Sequence, residues 1–235
     1  MQTVLLTGAS GGIGQVLTGR LLSSGYTLVA VAGNNPQNIR PHKQLHLITG
    51  DLATEEGVRS IHQQTVDLVG HPHIFIHNAG INANAMSWKL SFEDWQRVLA
   101  VNLNAAFLMS SLCLPAMREL RWGRILYISS IVAQQGVAGT AAYAASKAGL
   151  LGMMRAQAAE TAGRGITVNA IAPGYLNTGM IEEVPEAIRE NIRQRIPMGE
   201  LGDPREMADL LLWLIGKNSG YITGQTLHFN GGLFT

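Results

Sequence analysis

The side chains best suited to chemistry lie near the middle of the chain. Tyr143 and Lys147 stand four residues apart in an alanine-rich run, so a helix would place them on one face. A buried strand is predicted just before this helix, and it ends near Ser129 and Ser130. A phenol beside an ammonium group, with a hydroxyl close by, is suited to moving a proton. The spacing alone also fits a core tyrosine and a solvated lysine.

The tyrosine needs help to act at neutral pH. Its ordinary pKa of about 10 makes it a poor base and a slow acid. We expect Lys147 to favour the phenolate and so to lower the pKa of Tyr143. Adjacent strand residues point to opposite faces, so only one of Ser129 and Ser130 can face a substrate.

A glycine-rich turn follows the first predicted strand, Thr3–Thr7, and leads into a helix from about Gly14 to Ser24. The order of strand, glycine turn and helix is typical of a dinucleotide site. Such glycines let the backbone approach a pyrophosphate, and the helix N-terminus offers free N–H groups to the phosphates. A purely structural turn is the alternative, but the position at the start of an alternating strand–helix chain favours nucleotide binding.

The end of the second strand, Thr27–Ala32, indicates which cofactor binds. A carboxylate there would bind the ribose hydroxyls and repel a 2′-phosphate. This chain has Asn34 and Asn35 instead, with Arg40, His42 and Lys43 a little further on. The electrostatics therefore favour NADPH over NADH. Two observations limit this prediction: glycines occupy positions 11 and 33, where an arginine could clamp a phosphate, and the two asparagines also fit ordinary turn chemistry.

Three more polar positions precede the catalytic segment. Asp51 follows the strand Leu45–Thr49 and either accepts from the adenine amino group or caps the next helix, the commoner role. Asn78 follows the strand over residues 73–77, and its amide can tie neighbouring strands together. Asn102 interrupts an apolar helical stretch and needs a partner if buried. We expect it to bond a broken helix carbonyl, or its backbone to bind a water.

Length and composition set the general class of protein. The 235 residues suffice for one large α/β domain, and only 14% are charged, so other subunits could cover much of the surface. A net charge of +1 gives no reason to expect nucleic acid. The single cysteine, Cys113, is expected to be buried and fits a reducing compartment. We expect no signal peptide before the first strand and no apolar run that reaches the length of a membrane span. The seven histidines show no metal-ligand spacing. These features predict a cytoplasmic protein.

Together the motifs resemble the short-chain dehydrogenase/reductase family along nearly the whole chain. T-G-x-x-x-G-x-G occupies residues 7–14, N-A-G occupies 78–80, and P-G-x-x-x-T occupies 173–178. The family's Asn/Ser/Tyr/Lys set falls on Asn102, Ser130, Tyr143 and Lys147, with twelve residues between the serine and the tyrosine. The resemblance implies one α/β domain over residues 1–235, a Rossmann-type doubly wound sheet of about seven parallel strands in the order 3-2-1-4-5-6-7, and a substrate lid around residues 175–198.

The resemblance also implies the roles of individual residues. Asn102, Ser130, Tyr143 and Lys147 would be catalytic. The residues expected to bind the cofactor are Gly8, Ser10, Gly12, Ile13, Gly14, Asn34, Asn35, Asp51, Leu52, Asn78, Ala79, Gly80, Tyr143, Lys147, Pro173, Gly174, Leu176 and Thr178.

Within the family the chain looks most like the bacterial 3-oxoacyl-[acyl-carrier-protein] reductases. The similar stretches are YAASKAGLLG, RGITVNAIAPG and YITGQTLHFNGG. The resemblance implies NADPH-dependent reduction of a 3-oxoacyl thioester, with Arg121 and Arg164 near the site mouth docking an acidic acyl carrier protein. Two solvated arginines at helix ends are the alternative. The chain departs from the pattern at Gly11, where the family often has arginine, and at His77, where it commonly has asparagine.

Other readings of the chain stay open. One is an NAD(P)-dependent dehydrogenase of another alcohol or ketone, and the other is a catalytically idle dinucleotide-binding module. Substrate choice is expected to depend on residues 83–88, 134–140 and 175–198. The family resemblance implies a homotetramer of dihedral symmetry, and apolar residues in the helices over 99–114 and 210–214, with the Gly-rich C-terminus, fit it.

Overall fold

A computed structural model describes residues 2–33, 36–179, 181 and 184–235. Seven strands form one parallel sheet in the order 3-2-1-4-5-6-7, which confirms the predicted fold class. The strands are β1 (Thr3–Thr7), β2 (Thr27–Ala32), β3 (Leu45–Thr49), β4 (Ile74–His77), β5 (Gly123–Ile128), β6 (Ile166–Pro173) and β7 (Thr226–Phe229).

Helices cover both faces of this sheet. They are α1 (Gly12–Ser23), α2 (Glu55–Val69), α3 (Phe92–Leu99), α4 (Ala105–Leu120), α5 (Ala141–Thr161), α6 (Glu186–Arg195) and α7 (Pro204–Ile215). One core lies between the sheet and α2, α4 and α5, and a second lies between the sheet and α1 and α7. The central strands are buried on both sides, which explains why they are continuous apolar runs in the sequence.

Three helices begin where side chains satisfy their free backbone N–H groups. Thr54 accepts from Gly57 N at 3.1 Å, and Ser91 accepts from Asp94 N at 3.0 Å. Asp203 accepts from the backbone of Arg205 at 2.7 Å, and Pro204 occupies the first turn of α7. These caps fix the starts of α2, α3 and α7, so the sequence places those starts within about one residue.

The apolar helical run from Phe92 to Leu120 corrects one expectation. The run has 29 residues, and an 18-residue window within it has a mean hydropathy of 1.7, so it is long and apolar enough to cross a membrane by length and composition alone. A π-helical segment, Ala100–Asn104, joins α3 to α4 at the predicted interruption. The inner face of α4 is fully buried in the first core through Met109, Cys113 and Met117, as in a core helix of an α/β domain.

The segment over residues 175–198, expected to be the lid, has a small core of its own. Ile181, Ile192 and Ile196 are buried together, with Tyr175 and three other apolar side chains packed around them. The segment contains the helix α6. A backbone bridge from Leu176 to Gly202 ties the start of the segment to the chain before α7.

Candidate active site

The glycine turn after β1 is packed so closely that side chains would not fit. Gly8 has a φ of +68°, and a Cβ there would lie 2.6 Å from the Cα of Ala79. A Cβ on Gly14 would overlap the carbonyl oxygen of Gly8. The turn therefore holds α1 directly against the strand ends and leaves bare backbone facing outward.

The N-terminus of α1 is open to a ligand. Gly11 precedes this helix without a side-chain hydrogen bond, and the first turn carries no acidic residue. The first N–H groups of α1 therefore lack the side-chain caps seen on α2, α3 and α7. Backbone donors at a positive helix end, beside glycines with room for a ligand, fit the pyrophosphate of a dinucleotide.

A cleft of about 1040 Å³ opens above this turn, along the carboxyl ends of the strands. That volume suits a dinucleotide with a substrate. The predicted site residues that line it are Gly8, Ser10, Gly12, Ile13, Gly14, Asp51, Leu52, Asn78, Ala79, Gly80, Ser130, Tyr143, Lys147, Pro173, Gly174, Leu176 and Thr178. Asn34 and Asn35 lie outside the described residues, and Asn102 stands behind the cleft wall.

Tyr143 and Lys147 meet in this cleft on the first turns of α5. The Lys147 ammonium lies 5.5 Å from the centre of the Tyr143 ring. It also donates to the carbonyl of Ile128 at 2.7 Å, which fixes the buried side chain against the end of β5. The helix thus presents the phenol and the ammonium side by side at the sheet edge.

The two serines after β5 point in different directions. Ser129 is buried, and its hydroxyl donates to the Lys147 carbonyl at 2.9 Å. Ser130 is partly exposed, lines the cleft and accepts from the backbone of Val132 at 3.3 Å. The hydroxyl of Ser130 lies close enough to the Tyr143 phenol to lower its pKa. Ser129 therefore supports α5, and Ser130 is the serine positioned to meet a substrate.

The pKa of Tyr143 differs from the expectation. Burial raises this pKa to about 12, and the hydrogen bond with Ser130 only partly offsets the rise. Burial also lowers the pKa of Lys147 to about 8. The expectation that Lys147 lowers the pKa of the phenol is therefore wrong, because loss of water disfavours the charged form of each group. The phenol keeps its proton at neutral pH.

Asn102 and Asn78 fasten the wall of the cleft. Asn102 is fully buried, and its amide accepts from Ile81 N at 2.8 Å and donates to Ile81 O at 2.9 Å and Ser146 Oγ at 3.0 Å. Its side chain therefore bonds the loop after β4, and not the broken helix carbonyl expected from the sequence. Asn78 donates to the Gly8 carbonyl at 2.9 Å, which ties β1 to β4 as predicted.

Asp51 does not cap the following helix. Its carboxylate accepts from Ala53 N at 2.8 Å in a turn, while Thr54 makes the cap of α2. The capping interpretation is wrong because the cap position lies three residues further on, at Thr54. The carboxylate lines the cleft, so binding of an adenine amino group stays a prediction.

The two predicted docking arginines lie at the wrong edge of the sheet for this chain's own cleft. Arg121 ends α4, just before β5 begins, and Arg164 lies just before β6. Ser130 follows the far end of β5, whose six residues span about 20 Å. All strands of a parallel sheet begin at the same edge, and the cleft lies at the opposite edge. The expectation that Arg121 and Arg164 lie near the mouth of the site is therefore wrong. Both side chains are exposed.

The cleft also contains residues that the sequence did not indicate. Arg97 on α3 and Val101 in the π-helical segment both line it. They stand four residues apart and share a helix face, but only the topology brings that face to the cleft. The three loops expected to govern substrate choice also line the cleft, through Asn84, Val137 and Tyr175. Arg40, His42 and Lys43 are not among the lining residues.

The fold and the site together define a class of protein. A doubly wound parallel sheet, an open glycine turn at a helix N-terminus, and a Ser/Tyr/Lys cluster at the strand ends are the parts of a dinucleotide-dependent oxidoreductase.

Comparison with known proteins gives the family. A family model described as enoyl-(acyl carrier protein) reductase matches residues 8–234. The chain is 35% identical to the 3-oxoacyl-[acyl-carrier-protein] reductase of Aquifex aeolicus, over 98% of this chain and 96% of that protein. It is 38% identical to the Rickettsia prowazekii protein of that name, over 99% and 96% of the two chains. It is 39% identical to the acetoacetyl-CoA reductase of Shinella zoogloeoides, over 99% and 98%.

The chain therefore belongs to the short-chain dehydrogenase/reductase family. It is an oxidoreductase that acts on hydroxyl or keto groups, and membership implies a nicotinamide dinucleotide cofactor.

Proposed function

We propose that the protein reduces the keto group of a 3-oxoacyl thioester to the 3-hydroxyacyl thioester, with NADPH as cofactor. The observation that carries this proposal is the meeting of Ser130, Tyr143 and Lys147 in one cleft, beside an open glycine turn. Similarity to reductases of 3-oxoacyl and acetoacetyl thioesters supports the substrate class.

In this reaction Ser130 and Tyr143 hold the ketone oxygen through their hydroxyl groups. A bound nicotinamide would supply a hydride for the carbonyl carbon. Tyr143 gives its proton to the oxygen as negative charge develops there, and its raised pKa of about 12 keeps that proton available at neutral pH. The Lys147 ammonium, 5.5 Å from the phenol ring centre, stabilises the phenolate that is left.

Asn102 has a supporting role in returning the proton. We propose that its backbone carbonyl binds a water that connects Lys147 with solvent. The three hydrogen bonds of its side-chain amide hold the π-helical segment in place, which suits an anchor for such a water.

The cofactor would lie along the strand ends. Its pyrophosphate fits the bare backbone of residues 8–14, and its adenine fits beside Asp51 and Leu52. Leu176 and Thr178 would hold the nicotinamide end. A Cβ on Gly12 would lie 2.5 Å from the Thr178 hydroxyl, so the glycine turn and the segment that carries Thr178 are already in contact. Ala32 and Gly33 at the end of β2 bring no carboxylate to the cleft, which supports NADPH over NADH.

We propose that the enzyme works in the cytoplasm as a homotetramer. The thiol of the substrate belongs to an acyl carrier protein or to coenzyme A. Arg121 and Arg164 lie at the opposite edge of the sheet from their own cleft. Within this proposal the two arginines of one subunit would therefore bind a carrier protein that is docked at the cleft of a neighbouring subunit.

The test is the loss of nicotinamide absorbance with a short 3-oxoacyl thioester, measured in parallel with NADPH and NADH. We expect fast oxidation of NADPH and slow oxidation of NADH. A preference for NADH would keep the reaction and overturn the cofactor assignment. Cofactor binding without turnover would reject the thioester, and a panel of other ketones and alcohols would then separate a different dehydrogenase from an idle binding module.

A further inference from the structure

His77 is a buried titratable group that the proposed reaction does not use. It is the last residue of β4 and has no exposed surface. Its side chain lies on the same face of the strand as Phe75, with ring centres 6.1 Å apart. That face packs against the helices that carry Asn102 and Lys147.

The hydrogen bonds around Thr7 favour one tautomer of this imidazole. The Thr7 hydroxyl oxygen accepts from the backbone N–H of Ala79 at 3.3 Å. Its own hydrogen is then free to be donated to Nδ1 of His77, 3.0 Å away. A neutral imidazole that accepts at Nδ1 carries its proton on Nε2.

The Nε2–H group points at the π-helical segment. Nε2 is buried, and no acceptor among the described residues forms a hydrogen bond of ordinary geometry with it. The backbone carbonyls of Val101 and Asn102 face the ring and favour a proton there. Burial, together with the nearby charge of Lys147, nevertheless lowers the pKa of His77 to about 3, so the ring stays neutral.

The segment that His77 faces leads directly to the catalytic lysine. Asn102 bonds both backbone groups of Ile81 and the hydroxyl of Ser146, the residue before Lys147. A Cβ on Gly80 would lie 3.3 Å from the Lys147 ammonium and 3.6 Å from the Asn102 amide oxygen. These contacts form one continuous path from the imidazole to the ammonium.

We propose that His77 is a positioning residue: the dipole of its Nε2–H attracts the facing carbonyls of Val101 and Asn102 without an ordinary hydrogen bond, and so keeps Asn102 and Lys147 in place for catalysis. A carbonyl oxygen has two lone pairs, so this contact leaves room for a water on Asn102. The kinetic part of the proposal rests on the proposed reductase function.

The first experiment compares three variants. His77→Leu removes the N–H, His77→Gln restores an amide N–H at the reach of Nε2, and Phe75→Leu disturbs the same strand face without touching the hydrogen bonds. We expect His77→Leu to lower kcat roughly ten- to hundredfold while KM and the Kd for NADPH stay within about twofold. His77→Gln should recover most of kcat, and Phe75→Leu should keep it while lowering the melting temperature.

Equal losses of kcat in His77→Leu and Phe75→Leu would reduce His77 to a packing role and overturn the proposal. So would unchanged kcat in His77→Leu, or failure of His77→Gln to recover it.

The second experiment needs no substrate and keeps the proposal testable if His77→Leu does not fold. Nitrogen NMR of the histidine-labelled wild-type protein reports the tautomer of each imidazole. We expect a neutral Nε2–H tautomer for His77 from pH 5.5 to pH 8.5, assigned by the signal lost in His77→Gln. An Nδ1–H tautomer, or protonation within that range, would contradict the proposal. Absence of thioester turnover would refute the proposed function and leave the NMR result standing.

Discussion

At the scale of single residues, burial decides how the site works. Water is excluded from both Tyr143 and Lys147, so the phenol holds its proton more tightly and the ammonium less tightly than in solution. A protonated phenol is a proton donor, which suits reduction of a ketone at neutral pH. Oxidation of the alcohol requires the phenolate, so it should be favoured only in more alkaline solution.

Replacing Tyr143 by Phe removes the proton donor and keeps the ring. We expect turnover to fall at least about a hundredfold, because a positioned acid contributes that much or more. The Kd for NADPH should stay within about twofold, as measured by fluorescence titration. Retained turnover would assign the proton to another group, and Ser130→Ala is the matched variant that would then be examined.

Lys147 should make stability depend on pH in the alkaline range. The lysine pKa falls from 10.5 in the unfolded chain to about 8 in the folded one. Between these values the unfolded state binds more protons, so the free energy of unfolding rises with pH. Relative to Lys147→Met, the wild-type protein should gain about 3 kcal/mol from pH 8 to pH 10.5.

Urea unfolding of both proteins at a series of pH values measures this difference. A constant difference across the range would mean that Lys147 titrates normally.

At the scale of elements, the glycine turn and α1 form one unit with β1 and β4. Gly14→Ala would place a Cβ against the carbonyl of Gly8 and push the helix away from the turn. We expect the affinity for NADPH to fall about tenfold or more, since strain of this kind costs 1–3 kcal/mol. Isothermal titration calorimetry measures the affinity.

Gly19→Ala is the matched control for this prediction. Gly19 lies in the same helix, and a Cβ there meets nothing within 4 Å. The variant should bind NADPH normally and stabilise the fold by about 0.5–1 kcal/mol, because alanine favours a helix over glycine. Weak binding in both variants would place the effect in the helix as a whole.

The sequence predicts most element boundaries because local signals mark them. The strands β1, β2 and β3 have the predicted bounds. The strands are apolar runs closed by turn residues, and α7 starts at an aspartate followed by a proline. The break near Asn102 is also visible in the sequence, as a polar residue in an apolar helix.

Long-range contacts are harder to predict from the sequence. The partner of Asn102 is Ile81, 21 residues away, and nothing local indicates it. The pKa of Tyr143 depends on how deeply the cleft buries it, which only the packed structure fixes. The position of Arg121, by contrast, follows from the parallel sheet, because a residue just before a strand lies opposite the strand's carboxyl end.

At the scale of the whole molecule, two helices present apolar side chains that this chain leaves exposed. Phe107 on α4 is 57% exposed, and Trp213 on α7 is 44% exposed. The two helices cover opposite faces of the sheet, so a homotetramer would use them in two different interfaces. Phe107→Arg and Trp213→Arg should each convert tetramers to dimers, as measured by light scattering.

The wild-type protein provides the reference in that experiment. A wild-type monomer would refute the tetramer, and a tetramer that survives both substitutions would place the interfaces elsewhere.

A homotetramer would also bear on carrier-protein docking, because only a second copy would bring Arg121 and Arg164 beside a cleft. We expect Arg121→Glu with Arg164→Glu to lower kcat/KM for an acyl carrier protein substrate and to leave kcat/KM unchanged for the coenzyme A thioester. A small thioester needs no protein docking, so it is the internal control. Equal effects on both substrates would contradict a docking role.

The separate small core formed by Ile181, Ile192 and Ile196 has a consequence for local unfolding of the molecule. These side chains pack with one another and share few neighbours with the two large cores. The segment can therefore unfold locally while the sheet stays intact, at a fraction of the global free energy of unfolding. Amide protons of α6 should exchange with deuterated solvent long before those of β5 and β6, and saturating cofactor should slow that exchange selectively.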